Sequence, residues 1–137
     1  MDNFIIKDEN AVYFETNYSC DNVIFLAIGE KGYFITDGRY EVEAKENIKN
    51  HKYEIEILIS HNLIRTARTI LKKNEKISII YNPQEFSVYE FEKLSSDLKI
   101  NFMPKPNFHQ EKRIRKTQDE INLIEYSQKL NIKAFDK

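Results

Sequence analysis

The sequence predicts an α/β protein: one mixed sheet of five or six strands with helices flanking it. Three observations lead there. From Ala11 to Tyr40 the chain reads as strands, and beyond it segments of helical spacing alternate with short β-branched runs. The third observation is compositional. The 137 residues are 41% hydrophobic and 31% charged, with only three Gly and three Pro against eight Tyr and nine Phe, which is the make-up of one ordered domain joined by short turns.

Taken in order, Ala11-Val12-Tyr13-Phe14 is short and aromatic and is expected as the first strand. Val23 to Ile28 is continuously apolar, so it is expected at the centre of the sheet with both faces covered. A Gly29-Glu30-Lys31-Gly32 turn leads to Tyr33-Phe34-Ile35-Thr36, completing an antiparallel meander. Asp37 can cap a helix whose positions Tyr40, Ala44 and Ile48 recur every fourth residue, with Asn50 as its stop. In Tyr53 to Ile59, Glu54 and Glu56 alternate with isoleucines, so one face of that strand is wet or lies near an edge. Ser60 is expected to cap a helix carrying the stripe Leu63, Ala67, Ile70 and Leu71. Ile77 to Tyr81 reads as the next strand. Ser87-Val88-Tyr89-Glu90 is a capping box for a helix to about Leu98, and Ile100 to Met103 is the last strand.

Pro104 and Pro106 interrupt regular structure after that strand. Thr117-Gln118-Asp119-Glu120 is a second capping box, opening a helix toward Lys137 whose two apolar stripes exceed what a small domain covers. With no Gly or Pro to close that helix, the chain is expected to be the front piece of a longer protein. A meander succeeded by strands reached through helices describes a ribonuclease-H-like arrangement.

Composition excludes several function classes. Twenty-one Lys and Arg balance 22 Asp and Glu, for a net charge of −1, so no basic excess is available to follow a nucleic-acid backbone. No apolar run has bilayer length and no leader pattern follows Met1, so a cytoplasmic protein away from membranes is expected. The single cysteine, Cys20, suits a reducing compartment and reads as an ordinary thiol near a loop. His51, His61 and His109 share no ligand spacing, so no metal site is expected; the first two read as solvated helix-end residues and the third as part of a loop. A two-metal nuclease needs clustered carboxylates, and Asp37 alone does not organise two ions. The only close glycines, Gly29 and Gly32, belong to a hairpin turn, not a phosphate cradle.

Two strings stand out. Tyr18, Ser19, Asp21 and Asn22 lie in a short polar segment between strands with a Tyr anchor, the better candidate for touching a substrate or partner. Asp37, Arg39 and Tyr40 form a strand-to-helix corner, in which Asp37 caps the helix and Arg39 is spaced to pair with Glu43.

The run Tyr33-Phe34-Ile35-Thr36-Asp37-Gly38-Arg39-Tyr40 resembles the T/V-D-G/S-R-Y corner of the amino-terminal (creatinase/prolidase-type) domain of Xaa-Pro aminopeptidases and Xaa-Pro dipeptidases of the pita-bread metallopeptidase family. Phe14 to Asn22 looks like that family's Y-L-T-G-F-S-G-S-N segment through Thr16, Ser19 and Asn22, and Arg113 to Ile121 looks like its R-x-x-K-[ST]-x-x-E-[IL] junction. Two departures are the glycines replaced by Cys20 and Val23, and a start at Met1 that reads as entering the sheet without an early helix. The resemblance implies a creatinase-type domain over 1–116 and the start of a junction helix over 117–137. It implies no catalytic residue here, because two divalent ions, usually manganese, sit in the carboxy-terminal catalytic domain. It further implies a homodimer acting on short proline-containing peptides, with Tyr18 to Asn22 as a wall or interface element. A non-enzymatic protein-binding module of the same fold is the alternative.

Overall fold

A computed structural model describes residues 2–49 and 52–114. The chain divides into two compact units, Met1–Pro106 and Asn107–Lys137. The first contains β1 (Phe4–Ile6), α1 (Glu9–Thr16), β2 (Val23–Ile28), β3 (Lys31–Thr36), a 3₁₀ turn (Gly38–Tyr40), α2 (Glu41–Asn47), β4 (Glu54–Ile59), α3 (Leu63–Lys72), β5 (Ser78–Tyr81), α4 (Val88–Ser95) and β6 (Asn101–Pro104). Its six strands form one mixed sheet in the order β4-β3-β2-β1-β5-β6. β2 is antiparallel to both neighbours, whereas β3–β4, β1–β5 and β5–β6 are parallel, so β2 alone runs against the other five. The expected α/β class and mixed sheet are both observed.

Period-two alternation sorts the strand residues onto two faces. Ile24 and Leu26 of β2 join Ile5, Ile35 and Ile79 on one face, covered by Ala67, Ile70 and Leu71 of α3 and Leu94 of α4. That is the stripe expected on α3. On the other face Phe25 meets Phe4 and Tyr53, with ring centroids 6.2 and 5.5 Å apart. Every β2 residue from Val23 to Ala27 is buried, as a central strand requires. Each such large side chain contributes about 1.5–3 kcal/mol by leaving water. β4 is an edge strand, and its exposed Glu54 and Glu56 are what an edge tolerates.

The amino-terminal region corrects the expectation. Ala11 to Phe14 is not a strand but lies inside α1, and the first strand is Phe4–Ile6. α1 follows β1, so the described residues still enter the sheet ahead of the first helix. Asp8 Oδ2 accepts from Ala11 N at 3.0 Å to start it, and Asn17, in the left-handed region at φ 64°, closes it by donating its N–H to Tyr13 O. The buried side of α1 comprises Ala11, Val12, Glu15 and Thr16, so half its inner face is polar and no apolar stripe shows in the sequence. Glu15 is 1% exposed and accepts from Lys52 Nζ at 3.2 Å.

Smaller corrections have equally local causes. The β2–β3 turn is only Gly29-Glu30, with φ positive at Gly29 alone, the pattern of a two-residue II′ hairpin; Lys31 and Gly32 are already strand. The cap of α3 is Asn62, whose Oδ1 accepts from Arg65 N, while Ser60 Oγ accepts instead from Asn62 N and Thr66 Oγ1. The capping box at Ser87 and Glu90 forms as expected, but α4 stops at Ser95. His109 lies in a helical segment, residues 108–114, and is buried, not in a loop; His61 is exposed. Asn50, His51 and the expected helix over 117–137 lie outside the described residues.

Candidate functional site

The segment after α1 is held from beneath by a buried clasp. Thr36, at the end of β3, is fully buried and donates its hydroxyl to Asn22 O at 2.6 Å. Its only hydroxyl hydrogen is thereby used, so the Cys20 thiol is the donor, its Sγ lying 3.3 Å from Thr36 Oγ1 and 3.6 Å from Asn22 O. Burial pushes the Cys20 thiol up, opposite to the shift that would activate a nucleophile. Tyr18 packs its ring on Phe34, and Thr16 Oγ1 donates to Tyr18 O at 2.6 Å. The loop is thus fixed at both ends by side chains of the sheet and of α1.

Above the clasp, the loop and the strand-to-helix corner meet. Asp37 accepts at Oδ1 from Arg39 N and Nε, and at Oδ2 from Arg39 Nη2 at 2.9 Å and Asn22 Nδ2 at 2.7 Å. Tyr40 donates its hydroxyl to Asp21 Oδ1, and Arg39 Nη2 lies 3.8 Å from the same carboxylate. Tyr18 donates to Glu43 Oε2 at 2.8 Å. Arg39 therefore pairs with Asp37 and Asp21, not with Glu43 as the spacing suggested. The cause is local: Gly38–Tyr40 is a 3₁₀ turn, and its geometry turns the guanidinium back toward its own cap. Asp37 does cap as expected, but for that turn, not for α2.

The protonation states are set by these partners. Hydrogen bonds from Arg39 and Asn22 hold the Asp37 carboxyl well below the usual carboxylate range, and Asp37 in turn raises Arg39. Burial, then the bond to Glu43, pushes the Tyr18 hydroxyl up, while the bond to Asp21, then burial, raises Tyr40. Near neutral pH, Asp37 and Arg39 are charged and both tyrosines are neutral donors. The carboxylates of Asp21 and Asp37 face one guanidinium, and Glu43 adds a third negative charge beside Tyr18, so the surface is acidic. It can orient donor groups, and the shifts of Asp37, Arg39, Tyr18 and Tyr40 all lead away from the neutral range where a general base works.

Asp21, Asn22, Asp37, Arg39 and Tyr40 thus form one connected cluster where the sequence suggested two separate strings, and Tyr18 is tied separately to Glu43 of α2. Ser19 sits in the same loop with its Oγ buried and without a hydrogen-bond partner among the described residues. Sequence reasoning missed Thr36 and Cys20 as the support and Glu43 as the acceptor for Tyr18. Only the adjacency of Thr36 to Asp37 hinted at the first. Among the described residues no group of three or more His, Cys, Asp or Glu side chains is placed to hold a metal ion. No helix among them is long and apolar enough to cross a membrane.

No family model matches the sequence, and no curated protein matches it at a significant level. Solved structures do match. The Xaa-Pro aminopeptidase from Streptococcus pyogenes superimposes with a TM-score of 0.68 at 17% identity, over 80% of this chain and 82% of that one. The N-terminal domain of cytoplasmic peptidase PepQ from Mycobacterium tuberculosis gives 0.69 at 16% identity, over 80% and 85%. The Xaa-Pro dipeptidase from Bacillus anthracis gives 0.63 at 17% identity, and there the match takes in 77% of this chain but 29% of that one. The chain has the fold of the amino-terminal creatinase/prolidase-like domain of Xaa-Pro aminopeptidases and dipeptidases.

Proposed function

We propose that this chain is the non-catalytic amino-terminal domain of a metal-dependent Xaa-Pro aminopeptidase or dipeptidase. On this reading residues 1–116 are the domain, and 117–137 begin the junction to a carboxy-terminal catalytic domain that holds two divalent ions, manganese by expectation. The domain helps form a homodimer in the cytoplasm and walls the mouth of the active site, admitting short proline-containing peptides. The observation that carries the reading is the fold likeness at TM-scores of 0.68 and 0.69. The corner supports it, because Tyr18, Asp21, Asn22, Asp37, Arg39 and Tyr40 make a firm polar surface whose carboxylates are engaged by donors of the chain itself.

Two measurements test this reading. The chain alone, given manganese and an Xaa-Pro peptide, releases no free amino acid, whereas the full-length protein does. Turnover by the chain alone overturns the division of labour. In the full-length enzyme, Asp21→Ala combined with Tyr40→Phe raises kcat/KM for long peptides relative to short ones. An unchanged ratio overturns the role as a wall.

A further inference from the structure

Helices α3 and α4 flank a cleft of about 490 Å³, within the range of ligand-binding clefts. Three cations line it. Arg65 and Arg68 stand three residues apart on one face of α3, and Lys93 faces them from α4. The cleft's one carboxylate is already committed: Glu90 Oε2 accepts from Lys7 Nζ at 2.7 Å, and Oε1 closes the capping box by accepting from Ser87 N at 3.0 Å. Among the described residues, no carboxylate pairs with Arg65, Arg68 or Lys93. A nearly neutral chain has left one groove with a surplus of positive charge.

The groove is also partly organised in advance. Arg68 Nη1 donates to Ser96 O at 2.5 Å and to Leu94 O at 3.4 Å, which fixes the guanidinium at the carboxy-terminal end of α4. Its Nε and Nη2 donate to nothing among the described residues. Tyr89 lines the groove at 69% exposure, with Lys93 Nζ 5.3 Å from its ring centroid, and its neighbour Val88 is 80% exposed. An apolar anchor point therefore stands beside unneutralised cations, which together recognise carboxylates and an apolar side chain.

We propose that the α3–α4 cleft is a docking site for an acidic peptide segment of a partner protein, one that carries an aromatic or aliphatic side chain among its carboxylates. Charge complementarity selects this occupant. A nucleic acid would need cations spread along several phosphates, and three on one cleft of a chain with net charge −1 do not supply that. A small phosphate ester is best held by converging backbone N–H groups, and of the first-turn N–H groups at this cleft those of Arg65 and Glu90 are already taken by the Asn62 and Ser87 caps. The site is independent of the function proposed above.

The test is fluorescence anisotropy on the full chain with a labelled peptide that alternates Glu with Leu and Phe. Saturable binding is expected, weakened roughly tenfold by R65E with K93E and severalfold by Y89A. Raising salt from about 0.05 to about 0.5 M should also weaken it. R65Q with K93Q keeps side-chain bulk and serves as the second variant; it is expected to fold with an unchanged urea midpoint and still lose binding. The proposal is overturned if a Lys-for-Glu peptide binds equally well, or if neither pair of substitutions changes affinity. It is also overturned if inorganic pyrophosphate displaces the peptide at equal concentration, if a single-stranded RNA binds more tightly, or if the chain fills the cleft by self-association.

Discussion

The corner built from Tyr18–Asn22 and Asp37–Tyr40 and the cleft between α3 and α4 use charge in opposite ways. In the corner every carboxylate has an internal partner: Asp21 with Tyr40, Asp37 with Arg39 and Asn22, Glu43 with Tyr18. In the cleft the carboxylate is occupied elsewhere and the cations lack one. A charge answered within the chain sets geometry, and a charge left unanswered is open to another molecule. The net charge of −1 hides both surfaces, because their opposite signs cancel in the sum.

If the corner is rigid because it stands on the packed sheet, disturbing the sheet beneath it has the largest effect. A Cβ at Gly32 would lie 2.8 Å from Phe25 Cζ and 3.2 Å from Tyr53 Cβ, both in the aromatic layer. Gly32→Ala is therefore expected to cost about 1–3 kcal/mol, read by urea denaturation. Thr36→Val removes the hydroxyl that serves Asn22 O and the Cys20 thiol, and is expected to cost about 1–2 kcal/mol. It should also make Cys20 more reactive toward a thiol reagent, and unchanged reactivity would show that the clasp does not hold the loop.

Asp37→Asn acts on the acid limb of stability. The folded state holds the Asp37 carboxyl below its unfolded value, so its contribution is complete above about pH 4 and is lost as pH falls through the depressed folded value. The variant should show a flatter decline of its urea midpoint below that pH, and an identical decline would show that the Arg39 pair does not persist in solution. The smallest effect belongs to the cleft. Replacing Arg65 and Lys93 with Gln should shift stability by no more than about 0.5 kcal/mol, because neither charge has an internal carboxylate to lose. A larger loss would place both charges in the fold's own support.

What could be read from the sequence was whatever declares itself locally. The apolar run Val23 to Ile28, the stripe on α3 and the Ser87–Glu90 box each express a rule within a few residues, and each appears in the structure. α1 escaped because Glu15 and Thr16 occupy core-facing positions, so its period is masked by polar atoms that the distant Lys52 and the helix's own Val12 carbonyl satisfy. β1 escaped because three residues carry no period. The cluster was half legible: its members stand out as two strings, but the bonds joining them span 15 to 19 residues. The cleft requires knowing that α3 and α4 lie side by side, which spacing within either helix does not contain.

The placement of β1 between β2 and β5 also governs how the chain matures. Phe4 pairs with Ala27 on one side and with Ile80 on the other, and Glu85 accepts from Lys7 N at 2.8 Å. β1 therefore cannot gain its second neighbour until the chain has been made through Tyr81. Until then the sheet has an open seam between β1 and β5, and a chain interrupted before Tyr81 cannot close it.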